Sequence, residues 1–328
     1  MTMLAHMHDL FTEQDRLAIN TTMAAGSRAQ FDAMLVEQPR PSGGKRWTTL
    51  IGLLLVAIVL GLILFAIIGG LGLIGLVILV VASVFLARMI ARWWHIRSLH
   101  STARLKVIGG YAESRGWETV EKLALPATTP LLRKGDRRHT GWGVHGTLGD
   151  QVHFCAGEYV FETRETTTDS DGGSTESWKQ HPFTIAVIDA PLEGIGSMRI
   201  HKGKTDGILS KLTGMVTPLQ PVPLESQEFN SSFQLLVSDD ADQVAVRERF
   251  TPVIQVAFVD RGLGTSQFEA EHGVLVAARV GSPHTDNFGA LMEVLADAIW
   301  MRAVFTDKPA GRLPDIDALR ALLLGPNA

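Results

Sequence analysis

The sequence holds a single cysteine, Cys155, which excludes an intramolecular disulfide and a cysteine-built zinc cage and fits a reducing compartment. It lacks a strong excess of charge: 30 Lys and Arg stand against 34 Asp and Glu, a formal net charge of −4. That balance argues against a general nucleic-acid binder, so no nucleic acid is expected as a partner. It lacks a cleavable signal peptide, since His6, His8 and Asp9 interrupt the opening residues. The segment HKGKT (201–205) ends like a phosphate-binding loop, but Met198 stands where that loop needs its first glycine, which excludes a nucleotide triphosphatase of that kind. Ser, His and Asp are present without a glycine-flanked nucleophile elbow. No catalytic, cofactor-binding or metal-binding residue is therefore assigned, and the expectation is a non-enzyme without a cofactor.

What is present is uneven. From Leu50 to Ala87 no charged residue occurs. As one helix this run would be about 57 Å long, against a hydrocarbon core of about 30 Å, and Gly69-Gly70 lies near its middle. The run predicts a two-helix transmembrane hairpin over 48–92, with spans at about 48–68 and 71–92 and the lipid bilayer as partner. Arg40, Lys45 and Arg46 precede it and Arg88, Arg92 and Arg97 follow, which places both termini in the cytoplasm. Trp47, Trp93 and Trp94 stand where interfacial aromatics belong. No ionisable residue falls inside the spans, which argues against a self-contained transporter. Ala57 with Gly61, and Ser83 with Ala87 and Ala91, give small faces for helix packing.

Around the hairpin the chain divides into residues 1–47 (a helix, then a Pro/Gly linker), a helical stalk over 93–125, an α+β domain over 126–306, and a tail with a short helix over 307–328. Thr12 with Asp15 predicts a helix start, and the helix runs from about Glu13 to Glu37. From Trp142 the pattern becomes short strands. Gly149-Asp150 predicts a two-residue hairpin turn between Trp142–Leu148 and Gln151–Thr163, and 164–176 reads as a polar loop before a strand over Trp178–Asp189. Ser197–His201, Phe233–Val237, Gln267–Glu271 and Val274–Val280 are further strands, Thr251-Pro252 starts a helix, and Asp286–Phe305 makes an amphipathic one. Strands followed by helices, without βαβ alternation, predict an α+β fold with a mainly antiparallel sheet.

Three groups merit weighing as sites. His145, His153 and Cys155 resemble a metal cluster, but a two-residue turn would pair 148 with 151 and 146 with 153, leaving His145 on the opposite face. KGDRRH (134–139) is a basic cluster suited to anionic lipid headgroups or an acidic ligand. LESQEFNSSFQLLVSDD (224–240) gathers carboxylates at a strand end. There Asp239 and Asp240 are expected to cap a helix, and Phe229 and Phe233 to fill the core.

The blocks YAESRGWETV (111–120), HPFTIAVIDAPL (181–192) and LESQEFNSSFQLLVSDDADQVAVRERFTP (224–252) resemble a bacterial, chiefly actinobacterial, membrane-protein family. That family has paired N-terminal transmembrane helices and a cytoplasmic domain of unknown function. Glu225, Phe229, Asn230, Phe233, Asp240 and Pro252 match its pattern. The resemblance implies a multi-pass protein of a bacterial inner membrane and assigns no catalytic residue. The expected function is a membrane-anchored interaction or scaffolding module, acting on a protein partner or as a homo-oligomer. The alternative is a tethered ligand sensor or hydrolase with a pocket near His153, Glu158 or Asp239–Asp240.

Overall fold

A computed structural model of the chain describes residues 10–37, 72–149, 152–168, 174–192, 194–203, 219–260, 266–282, 287–306 and 313–324. Its helices are α1 (Glu13–Glu37), α2 (Gly72–Glu113), α3 (Pro130–Arg133), α4 (Gln227–Ser232), α5 (Gln243–Arg249), α6 (Pro252–Asp260), α7 (Phe288–Thr306) and α8 (Ile316–Leu324). Its strands are β1 (Glu118–Val120), β2 (Arg137–Leu148), β3 (Val152–Thr168), β4 (Ser174–Asp189), β5 (Met198–Lys202), β6 (Leu219–Pro221), β7 (Phe233–Ser238), β8 (Ser266–Glu271) and β9 (Val274–Val280). The strands form one nine-stranded sheet in the order β1-β2-β3-β4-β9-β8-β5-β7-β6, with every pairing antiparallel. The fold is α+β, with a large antiparallel sheet and helices.

The chain separates into two compact units, one of Met1–Thr21 with Ile108–Ala328 and one of Thr22–Val107. Within the smaller, the Phe31 and His100 rings stack at 3.8 Å beside Met34, Leu99 and Ala103.

The transmembrane expectation is corrected here. The first span, 48–68, lies outside the described residues. Among the described residues, no helix is long and apolar enough to cross a membrane. Helix α2 is long, at 42 residues, but only Val81–Ala87 precede Arg88 from Val81 onward, and Arg92, Arg97, Arg104 and Lys106 follow at intervals of about a turn or two. Charges so spaced leave no continuous apolar cylinder for lipid. The multi-pass placement in a bacterial inner membrane falls with the hairpin.

The larger unit is built around the sheet, whose two faces follow from its register. One row runs Phe154, Ile188, Leu275, Ala270, Met198, Val237, and the row beside it on the same face runs Ala156, Ala186, Ala277, Phe268, Ile200, Leu235. Helix α7 lies over this face, touching β3, β4, β8 and β9. An amphipathic stripe was expected, yet the helix is buried almost all round, which marks it as the centre of the core. Phe258 of α6 is fully buried and meets Phe229, Phe233, Phe250, Phe268 and Trp300 at ring-centroid distances of 5.4 to 6.4 Å.

The opposite face carries Tyr159, Phe161, Phe183, Ile185, Val187, Val276 and Ala278 and is covered by Leu125, Leu131 and Leu132. Leu123, from the same strip, lies against Gly143 and Gly157, where an added Cβ would come within 2.7 and 2.5 Å of it. Side chains at those two positions would lift the strip off the sheet.

The N-terminal capping box forms as expected: the Thr12 N–H donates to Asp15 Oδ2 at 2.8 Å, and the Asp15 N–H to Thr12 Oγ1 at 3.1 Å. Arg320 of α8 then donates to both Asp15 oxygens, at 2.8 and 2.5 Å. Asn20 Oδ1 accepts from the Gly289 N–H at 2.9 Å, so α1 satisfies an open amide of α7.

Two strand boundaries differ from expectation. Leu148 pairs with Val152, so residues 149–151 separate the strands, and the register moves by one. Residues 164–176 are not wholly loop: β3 and β4 stay paired out to Thr168 opposite Ser174. Thr166, Thr167 and Thr168 are β-branched and suit extended backbone, and Arg164 pairs with Glu176 and Lys179 with Glu165.

Candidate functional site

A single row crosses the sheet from Glu118 through His145, Cys155, Val187, Val276, Glu269 and Arg199 to Leu236. Its apolar middle belongs to the core beneath the Leu123–Leu132 strip. Both flanks are polar, and they are the two places where chemistry could gather.

On the first flank the one-residue register change matters. His145 lies directly opposite Cys155, so His145, His153 and Cys155 share a face, contrary to the expectation that His145 points away. Among the described residues, however, no group of three or more His, Cys, Asp or Glu side chains is placed to hold a metal ion. His145 Nε2 lies 3.4 Å from Glu118 Oε2, and His153 is exposed. Burial first, and Asp189 second, push the Cys155 thiol up to about 11, which keeps it protonated at neutral pH and unsuited to ligation or nucleophilic attack.

On the second flank the polar residues are buried. Strand β8 alternates: Phe268 and Ala270 face the helices, while Gln267, Glu269 and Glu271 face the strip, and all of the strand is buried. Glu269 is 1 % exposed. Its Oε2 accepts the Leu131 N–H at 2.7 Å. That amide opens α3, whose own N-cap, Thr129, makes no side-chain cap bond, so a carboxylate from the sheet satisfies it. Glu269 Oε1 stands 3.4 Å from Arg199 Nη2 without closing a hydrogen bond. Arg199 is 4 % exposed, and its Nε has no partner; neither amide atom of Gln267 has one either.

Lys134 follows α3 and is half-buried, its Nζ 5.4 Å from the centre of the Phe161 ring. Burial, and then the neighbouring Arg199 cation, push its pKa down to about 8, with Glu269 pulling the other way. Arg133 Nη2 donates to Glu271 Oε2 at 2.8 Å, Arg138 Nη1 to Leu132 O at 3.2 Å, and Tyr159 Oη to Leu131 O at 3.0 Å. The basic cluster 134–139 is thus divided: Lys134 turns to the buried row, and Arg137 lies over Trp178 at 3.8 Å. Two cations, Lys134 and Arg199, share one carboxylate that already caps a helix, so the group carries surplus positive charge and unmet hydrogen-bond capacity.

The segment 224–240 is structural. Ser226 Oγ accepts the Phe229 N–H at 3.1 Å, capping α4, and Asn230 bonds both Leu224 N and Leu224 O. Buried Gln255 joins Ser226 N, Glu225 Oε2 and Phe250 O. Phe229 and Phe233 are buried and stack at 5.3 Å. The helix cap is corrected: Asp242, not Asp239 or Asp240, accepts the Val244 and Ala245 N–H groups at 2.8 and 3.3 Å. Asp239 and Asp240 are exposed in the turn before it.

His153, Glu158 and Asp239–Asp240 do not converge. His153 and Glu158 lie on opposite faces of β3, and β7, which leads into the two aspartates, is five strands away, roughly 24 Å. In HKGKT, His201 and Lys202 end β5, while 204 and 205 lie outside the described residues. Ala57 and Gly61 also lie outside; Ala87 of the second small-residue set is buried.

No family model, no curated protein and no solved structure matches the chain, so the likeness of its blocks to the actinobacterial family carries no function to it.

Proposed function

We propose that the protein is a non-enzymatic interaction module and that the outer part of the β3–β4 hairpin is its docking element. One observation carries this reading. Strand β2 leaves β3 at Glu162, and β9 leaves β4 at Phe183, yet β3 and β4 remain paired from Thr163 opposite Lys179 to Thr168 opposite Ser174. Over that length the ribbon has two open edges whose N–H and C=O groups face no neighbouring strand, and its side chains are mostly exposed. Open edges are the template for strand addition by a partner chain, and proteins ordinarily shorten or cover them.

Alternating side chains supply specificity. Glu162, Arg164, Trp178 and Glu176 lie on one side of the ribbon, and Thr163, Glu165 and Lys179 on the other. The test is a photo-crosslinking side chain placed at Thr166 or Ser177 of the full chain in its native host, with Glu121 as an exposed control. The reading expects a discrete adduct, to one protein or to a second copy, from the ribbon positions alone. Equal labelling at all three positions would remove its basis.

A further inference from the structure

The row that carries Glu269 and Arg199 leaves polar atoms unmet in the interior: Arg199 Nε and Gln267 Nε2 as donors, Glu269 Oε1 and Gln267 Oε1 as acceptors. Arg199 faces Glu269 across β5 and β8, and Gln267 is its diagonal neighbour on the same face, at roughly 7–8 Å between backbones and within reach of long side chains. We propose that Lys134, Arg199, Gln267 and Glu269 form a binding site for a small carboxylate that also carries a hydroxyl or ammonium donor.

Charge selects the carboxylate. Lys134 and Arg199 together exceed Glu269 by one positive charge, and Arg133 is already bonded to Glu271. One negative charge neutralises the group, whereas a phosphate dianion would overshoot it beside Glu269. Hydrogen bonding selects the second group. Arg199 and Gln267 offer donors to the carboxylate, and the unmet oxygens of Glu269 and Gln267 require a donor from the ligand. Buried polar atoms left unpaired are costly, so some occupant is required, and ordered water is the competitor: it supplies donors and acceptors but no charge. The site is independent of the ribbon, lying several strands from its open edges.

The test is calorimetric titration and thermal unfolding of the full chain with sodium L-lactate and with glycine. Acetate serves as the carboxylate without a donor, and inorganic phosphate as the dianion. Lactate or glycine is expected to bind saturably and, at about a hundred times its Kd, to raise the unfolding midpoint by roughly 5–10 °C. Acetate is expected to bind at least about tenfold more weakly. Lys134→Met and Gln267→Leu should each weaken binding by roughly ten- to a hundredfold. Arg199→Met is made together with Glu269→Leu, so that no buried charge is stranded, and this pair should abolish binding.

Absence of saturable binding by folded wild type, or undiminished lactate binding by Lys134→Met and Gln267→Leu, would mean that water alone fills the group. Phosphate binding more tightly than lactate and glycine would overturn the carboxylate assignment.

Discussion

Replacing Glu269 by Gln keeps the shape of the side chain and removes its charge, and so asks how much the buried row depends on that charge. The Leu131 N–H retains a neutral acceptor, which weakens the cap of α3 by about 1 kcal/mol. Arg199, 4 % exposed, loses the carboxylate 3.4 Å away, and removing one member of a buried ion pair costs about 3–5 kcal/mol because the other charge stays buried. The sum is about 4–6 kcal/mol. A unit of this size loses about 2–4 °C of midpoint per kcal/mol, so thermal unfolding should fall by roughly 10–20 °C. Urea unfolding followed by circular dichroism gives the same quantity at fixed temperature. The paired replacement Arg199→Met with Glu269→Leu should recover most of the loss, since it leaves no buried charge and forfeits chiefly the α3 cap. If Glu269→Gln stays within about 1 kcal/mol of wild type, below the range for such pairs, the pair is solvated and the reasoning about a buried charge surplus fails.

Other consequences are open to the same assays. Phe258→Ala removes the ring that five other aromatic side chains meet and should cost about 3–5 kcal/mol, against little for Val253→Ala, which is 53 % exposed on the same helix. Asp242→Ala should cost about 1 kcal/mol by freeing the first amides of α5, while Asp239→Ala, in the exposed turn, should be close to neutral. For Asp15, burial raises the pKa, but hydrogen bonds from Arg320 and Thr12 outweigh it and hold the carboxyl below its ordinary value. A lowered folded pKa gives stability that is present above the unfolded pKa near about 3.9 and is lost as pH falls through the folded one. The stability gap between wild type and Asp15→Asn should therefore be widest at neutral pH and shrink below about pH 4, which denaturation at several pH values measures directly.

Local chemistry made much of the sheet legible. The strands on either side of His272-Gly273 were readable because two short alternating runs flank a turn, and the structure shows both turn residues in the left-handed region, φ 52° and 78°, as a tight hairpin requires. Thr12 and Asp15 announced their helix because a capping box is wholly local. The register at Gly149-Asp150 was not readable, because a two-residue and a three-residue connection use the same residue types, and one residue decides which face every side chain takes. The Glu269 group was missed for a different reason. In SQFEAE the polar residues alternate with apolar ones, the pattern of a strand with one face in water. Only the return of residues 121–136 across the sheet buries that face, and no local signal in the strand reports it. The run from Leu50 to Ala87 misled in the opposite direction: an apolar run was taken as a span, whereas the part of α2 described by side chain breaks into charge at Arg88 and each turn or two beyond.

The central claim, that the outer β3–β4 ribbon is the docking element, is met most directly by shortening it. Residues 164–178 are replaced by Asn-Gly so that Thr163 and Lys179, which already face each other, close the hairpin. The unfolding midpoint and the native size of the complex in an extract of the host are then measured together. The account predicts an unchanged midpoint, because the removed residues touch no core strand, and a shift of the protein from a larger assembly to the size of the free chain. An assembly that persists in the shortened protein would contradict it.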